Sequence, residues 1–182
     1  MKKIYFKLIL LLSIVSILSF TYVNSAEKPK KKKAKTTKVK EKKKNKNKIA
    51  DTLAWKNMTE GYAKAVSEKK ILLVDVYTKW CGWCKVMDRE TYADSLIINK
   101  LNTYFVVVKF NPEEENKHTI NGAEYSSTQL LQVLNKGGHF GGYPTTYFWK
   151  DLSDLNKIEN YPGYRKKEDF SGILDKFINQ TV

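Results

Sequence analysis

The chain is poor in the residues that carry metal and haem chemistry. Among 182 residues there are two cysteines and two histidines. Cys81 and Cys84 stand three apart, whereas His118 and His139 lie in separate stretches without a local ligand spacing. No metal ligand is assigned on this basis. A zinc or copper carrier built from the two cysteines with either histidine remains a rival reading. Covalent haem attachment needs a histidine directly after the second cysteine, and Lys85 stands there. The amino-terminal stretch has no cysteine, which excludes lipid attachment at such a leader. Beyond residue 48 there is also no excess of charge. The first 48 residues hold 16 lysines against 2 glutamates, and the rest hold 17 basic and 17 acidic side chains. The formal net charge of +14 thus belongs to the amino-terminal segment, and the remainder offers no basic field for nucleic acid.

What is present begins with Lys2, Lys3 and Lys7, an uncharged apolar stretch from Leu8 to Phe20, and small polar residues through Ala26. This is the build of a secretory signal peptide over residues 1–26, cut near Ser25 or Ala26 or retained as an anchor. The apolar stretch is shorter than the roughly 20 residues of a spanning helix. From Lys28 to Lys48, thirteen lysines face Glu41 alone, so residues 27–48 form no core and read as an extended, solvated linker. Such a run is either a spacer or an electrostatic tether to an anionic envelope surface.

The sharpest signal is Trp80-Cys81-Gly82-Trp83-Cys84-Lys85. It follows an apolar run, Ile71 to Tyr77, that reads as a buried strand, and it opens a helix. A cysteine at that junction receives the unpaired N–H groups and positive end of the helix, which favour thiolate over thiol. The second sulfur, one turn on, is placed to close a disulfide.

Residues 49–182 are long enough to bury a core. Thr59 is the expected cap of a first helix with Met58, Tyr62, Ala65 and Val66 on one face. Asp94 caps a helix carrying Leu96, Ile97, Ile98 and Leu101, and Asp88-Arg89-Glu90 reads as solvated. Phe105 to Phe110 is a second interior strand. Each interior strand holds one charge, Asp75 and Lys109. Asp75 is either at a solvated edge or a buried acid with a raised pKa, and Lys109 is either its partner or exposed. Ser126 or Ser127 caps a helix with Leu130, Leu131, Val133 and Leu134 inward. A glycine-rich connection, Gly137 to Gly142, leads to Tyr143-Pro144-Thr145 and a strand to Trp149. Pro144 is either strand punctuation or a cis bond. Ile158 to Tyr161 reads as an edge strand, Gly163 as a turn, and Lys166 to Asn179 as a terminal amphipathic helix. The order predicts an α/β fold with a central mixed sheet and helices on both faces.

These motifs, in this order over residues 49–182, resemble the thioredoxin superfamily. Cys84-Lys85 through Glu90-Thr91-Tyr92 is similar to exported proteins related to the carboxy-terminal domain of the periplasmic thiol:disulfide interchange reductase. The resemblance implies Cys81 as attacking thiol, Cys84 as resolving thiol, Asp75 as buried acid, Lys109 as its partner and Pro144 as the cis-proline beside the disulfide. Trp80, Gly82, Trp83, Tyr143 and Thr145 are the implied substrate contacts. Gly82-Trp83 replaces the family's common Gly-Pro, and the span from Lys109 to Pro144 is longer than in a minimal thioredoxin.

The expectation is an exported thiol:disulfide oxidoreductase of the periplasm or cell envelope with no cofactor beyond the Cys81–Cys84 couple. It would be monomeric, act on protein thiols and disulfides, and draw electrons from a membrane or envelope donor. The reducing direction follows from the resemblance alone. An oxidase or isomerase using the same site, a client-binding module and a purely structural disulfide are the alternatives. A bond closing so short a loop restricts the unfolded chain little, which weighs against the last.

Overall fold

The computed structural model describes residues 52–180. The expected leader and lysine-rich linker lie outside them. Among the described residues no helix is long and apolar enough to cross a membrane.

A four-stranded mixed sheet has the order β2-β1-β5-β6. Strands β1 (Ile71–Val76) and β2 (Phe105–Phe110) run parallel, while β5 (Thr145–Trp149) is antiparallel to β1 and to the edge strand β6 (Ile158–Pro162). Every residue of β1 is buried, which explains its near-continuous apolar run. Leu72, Val74 and Val76 face one core with α1 (Met58–Glu68) and α4 (Ser127–Leu134). Ile71 and Leu73 face another with α2 (Gly82–Glu90), α3 (Ser95–Tyr104) and α5 (Lys167–Asn179). Burying each such side chain contributes about 1.5–3 kcal/mol before the cost of ordering it.

Local chemistry sets the element ends. Asp94 accepts from the N–H groups of Leu96 and Ile97 at the start of α3. Ser126 caps α4 in a reciprocal arrangement with Gln129. Three expectations are corrected. The cap of α1 is Asn57, whose side chain accepts from Glu60 N; the Thr59 hydroxyl instead accepts from Thr119 N at 3.0 Å. Val66 and Leu96 are exposed, because each falls at the margin of its helix's apolar stripe. The stretch before α4 forms an unforeseen hairpin, β3 (Lys117–Ile120) and β4 (Ala123–Ser126), turning at Asn121-Gly122 with positive φ at both.

The topology gathers four loops at one end of the sheet. Val76, the last residue of β1, pairs with Phe110 at the end of β2 and with Thr145 at the start of β5, which in turn pairs with Pro162 at the end of β6. The segments following β1, β2 and β6 and preceding β5 therefore meet there.

Candidate active site

Cys81 lies in the first of those loops and is the N-cap of α2. Its sulfur accepts the Cys84 main-chain N–H at 3.0 Å, and Cys81 and Cys84 are disulfide-bonded with S–S 2.01 Å. An N–H group and a helix end at that position are of the kind that favour thiolate over thiol in general. Cys81 and Cys84 are only 4% and 3% exposed, whereas Trp80 and Trp83 beside them are 66% and 62% exposed. Gly82, between the tryptophans, is exposed with open space where a side chain would project.

The neighbouring loops frame this pair. Trp80 meets Tyr143 edge-to-face at 5.6 Å between centroids, and Tyr143 meets Phe140 at 4.8 Å. The Tyr143–Pro144 peptide bond is cis. Pro144 is buried, and its carbonyl accepts from Gly163 N at 2.7 Å. Gly163 has φ +83°, which suits a residue without Cβ. On the other side Trp83 stacks on Tyr164 at 5.4 Å, and the Tyr164 hydroxyl donates to Glu90 at 3.0 Å. Thr145 is buried and its hydroxyl donates to the Gly142 carbonyl at 2.6 Å. Its side chain thus braces the loop.

Within the sheet, register aligns Lys109, Asp75 and Thr146 across three strands. These residues share the face of Ile71, Leu73, Val107 and Phe148, because side chains alternate along a strand. Asp75 is 1% exposed. Its Oδ2 accepts from Lys109 Nζ at 2.6 Å and its Oδ1 from the Tyr92 hydroxyl at 3.2 Å; that hydroxyl also lies 3.2 Å from Thr146 Oγ1. Lys109 Nζ is shared with Asp88 and lies over the rings of Trp55, Tyr77 and Tyr92 at 4.7, 5.2 and 5.2 Å. Trp55 is brought there because residue 56 bridges to β2: Lys56 N donates to Val107 O and Lys109 N to Lys56 O.

Burial pushes the Asp75 carboxyl above its ordinary range, against the opposing pull of Lys109. Burial would lower Lys109, but Asp75 and Asp88 outweigh it and its pKa is raised. Burial, reinforced by Asp75, also raises Tyr92 well above its ordinary value. A cleft of about 400 Å³ lined in part by Trp55, Asp88, Tyr92 and Lys109 flanks the network.

Asp88 is not simply solvated, as its place in a charged triplet had suggested. It stands four residues after Cys84, one helical turn on, and that spacing is the signal that could have found it. Glu113, in the loop after β2, is a further residue that sequence reasoning does not single out: both its carboxylate oxygens accept from Trp80 Nε1 at 3.0 Å. No local pattern marks that long-range contact. The two histidines do not join the cysteines in a described contact. His118 packs edge-on against Phe110 and lies 3.0 Å from Ser127 Oγ, while His139 is exposed. Among the described residues, no group of three or more His, Cys, Asp or Glu side chains is gathered to hold a metal ion.

Comparison with known proteins agrees with the fold. A thioredoxin from Thermus thermophilus superposes with TM-score 0.52 at 20% identity, over 69% of this chain and 86% of that one. A DsbH oxidoreductase superposes with TM-score 0.53 at 17% identity, over 72% and 88%. Protein disulfide-isomerase 5-2 of Arabidopsis thaliana is 28% identical over 94 residues, 52% of this chain and 20% of that protein. The chain spans about a fifth or less of the length of the curated relatives it matches. Residues 20–178 match the family model Thioredox_DsbH, described as a protein of unknown function, DUF255. The chain therefore belongs to this DsbH-type family of the thioredoxin superfamily.

Proposed function

We propose that this protein is a thiol:disulfide oxidoreductase working through the Cys81–Cys84 couple, with no other cofactor. The observation that carries the reading is the disulfide at the start of α2, its Cys81 sulfur on a main-chain N–H, between two exposed tryptophans. Kinship with a disulfide isomerase and a DsbH oxidoreductase supports it.

In the reducing direction the Cys81 thiolate attacks one sulfur of a client disulfide, forming a mixed disulfide and expelling the other client sulfur as thiolate. Cys84 loses its proton to the Asp75 carboxylate, attacks the Cys81 sulfur, and releases the second client sulfur as thiolate. The client gains two electrons and the protein ends as the disulfide. The raised pKa of Asp75 suits it to accept that proton. Lys109 positions Asp75, and the loop of Tyr143 and Pro144 with Trp80, Gly82 and Trp83 forms the client surface.

The reading extends to the parts outside the described residues. Residues 1–26 export the chain to the periplasm or envelope, residues 27–48 link, and residues 49–182 catalyse as a monomer supplied by an envelope electron donor.

The test is turnover of a neutral peptide disulfide by reduced protein, with Cys84→Ser to trap the mixed disulfide at Cys81. Absence of both turnover and trapped adduct would overturn the reading. Equilibration in thiol buffers then assigns the direction. A potential near −270 mV marks a reductant, and one near −120 mV an oxidant, on the approximate scale of known couples.

A further inference from the structure

Glu113 brings an uncompensated carboxylate to the rim of the disulfide. The loop after β2 is shaped by Asn111, a buried residue whose Oδ1 accepts from Glu113 N at 3.1 Å and whose carbonyl accepts from Glu114 N at 3.2 Å. Ser127 Oγ donates to the Glu114 carbonyl at 2.5 Å, tying the loop to the start of α4. Its two acids have different surroundings. Glu114 is paired with Lys79 at 3.1 Å, whereas among the described residues Glu113 has no cationic partner. Glu113 is exposed and holds the indole N–H of Trp80, the residue immediately before Cys81.

The aromatic surface beside that carboxylate is equally particular. Trp80 is largely exposed and meets Tyr143, which precedes Pro144. A ring face attracts a cation through its quadrupole, and a carboxylate a few ångströms away adds direct charge attraction. The same protein shows the arrangement at Lys109, whose ammonium is held by carboxylates and faced by aromatic rings. At Trp80 the carboxylate and the rings are present at the surface without the ammonium.

We propose that Trp80, Tyr143 and Glu113 form a subsite for a lysine or arginine side chain of the client, next to the client cysteine that Cys81 attacks. The apolar stem of that side chain lies on Trp80 and its charged head reaches Glu113. The subsite rests on the oxidoreductase reading above and specifies its clients as proteins with a basic residue beside the reactive disulfide. Lys79, committed to Glu114, does not fill it.

The test uses the full chain and three peptide disulfides identical except for Lys, Gln or Glu next to the cysteine. The rate constant kcat/KM is compared in wild type, Glu113→Gln and Glu113→Lys. Glutamine keeps an oxygen for the Trp80 N–H and removes only the charge. The lysines of residues 27–48 act equally in all three proteins, so the change in selectivity between them isolates Glu113. Loss of one exposed ion pair with the Lys peptide and of one like-charge repulsion with the Glu peptide predicts a Lys-to-Glu selectivity up to about tenfold higher in wild type than in Glu113→Gln, the cation–π contact being common to both. Glu113→Lys moves selectivity further toward the Glu peptide. Equal selectivity in wild type and Glu113→Gln overturns the subsite while leaving the oxidoreductase reading in place. Failure of wild type to reduce even the Gln peptide overturns that reading, and the subsite with it.

Discussion

Asp75 couples the protonation of this network to the stability of the fold. Its carboxyl is raised by burial, so the native state holds that proton to higher pH than the unfolded chain does. Stability from this group is therefore present at and below the ordinary carboxylate range and is lost as pH rises through the raised native value. His118, lowered by burial, works in the opposite sense below its ordinary value of 6.5. Glu114 and Asp94, held low by Lys79 and Lys167, matter only as pH falls through and below the ordinary carboxylate range. Lys109 and Tyr92 are raised from values near 10 and titrate in alkali. Subtraction of an Asp75→Asn variant isolates the aspartate. Urea midpoints of oxidised wild type should fall relative to the variant as pH rises above the ordinary carboxylate value of 3.8, and parallel curves would refute the assignment. Asp88 is a like charge that shares Lys109 and raises Asp75. In Asp88→Asn the wild-type drop should consequently move to lower pH, and an unmoved or upward-shifted drop would show that Asp88 does not act on Asp75. Asp75 and Lys109 were legible in the sequence as lone charges in apolar strands. The strand pattern left their pairing open and only the family resemblance implied it, because the register of parallel strands is set by a crossover of some thirty residues and not by local pattern.

At the scale of elements, helix α1 is seated on the sheet through Gly61. A methyl group there would meet Val108 Cγ2 at 2.1 Å, so the helix approaches β2 only because that position has no side chain. Gly61→Ala should destabilise by about 1–3 kcal/mol through overpacking, despite a gain in helix propensity of up to about 1 kcal/mol. Urea unfolding would measure it, and a neutral or stabilising result would mean that α1 shifts freely. The start of α4 depends on Ser126 Oγ accepting from Gln129 N at 3.2 Å and Gln129 Oε1 accepting from Ser126 N at 2.8 Å. Ser126→Ala should cost about 1 kcal/mol by the same measurement, and an unchanged midpoint would make the cap dispensable. Such contacts explain which elements could be read beforehand. The buried runs of β1, β2 and β5, the Asp94 cap and the terminal helix carry their period or cap within a few residues. The β3–β4 hairpin does not, because only His118 and Ile120 of its eight strand residues are buried, too few for an alternating apolar pattern. The first helix was displaced by one cap for a related reason: Asn57 and Thr59 are both competent caps, and the Thr59 hydroxyl is taken by Thr119 from β3.

For the whole molecule, the decisive asymmetry is electrostatic. Residues 28–48 carry thirteen lysines and one acid, while the region beyond residue 48 is balanced at 17 charges of each sign. A balanced domain has no net attraction to an anionic surface, so any attraction of the chain must come from the segment before it. Near such a surface each lysine contributes on the order of 1 kcal/mol. Even three or four lysines in contact would therefore strengthen partitioning by several hundredfold, roughly 3–4 kcal/mol. Screening over a Debye length of about 8 Å at physiological salt confines the effect to lysines that reach the surface, and added salt weakens it further. We expect a chain spanning residues 27–182 to sediment with vesicles containing anionic lipid at low salt, to be released as salt rises, and to ignore neutral vesicles. A chain spanning residues 49–182 should ignore both. Equal binding of the two chains would place the attraction on the domain and reduce the lysine segment to a spacer. Binding by the longer chain alone would make that segment a tether.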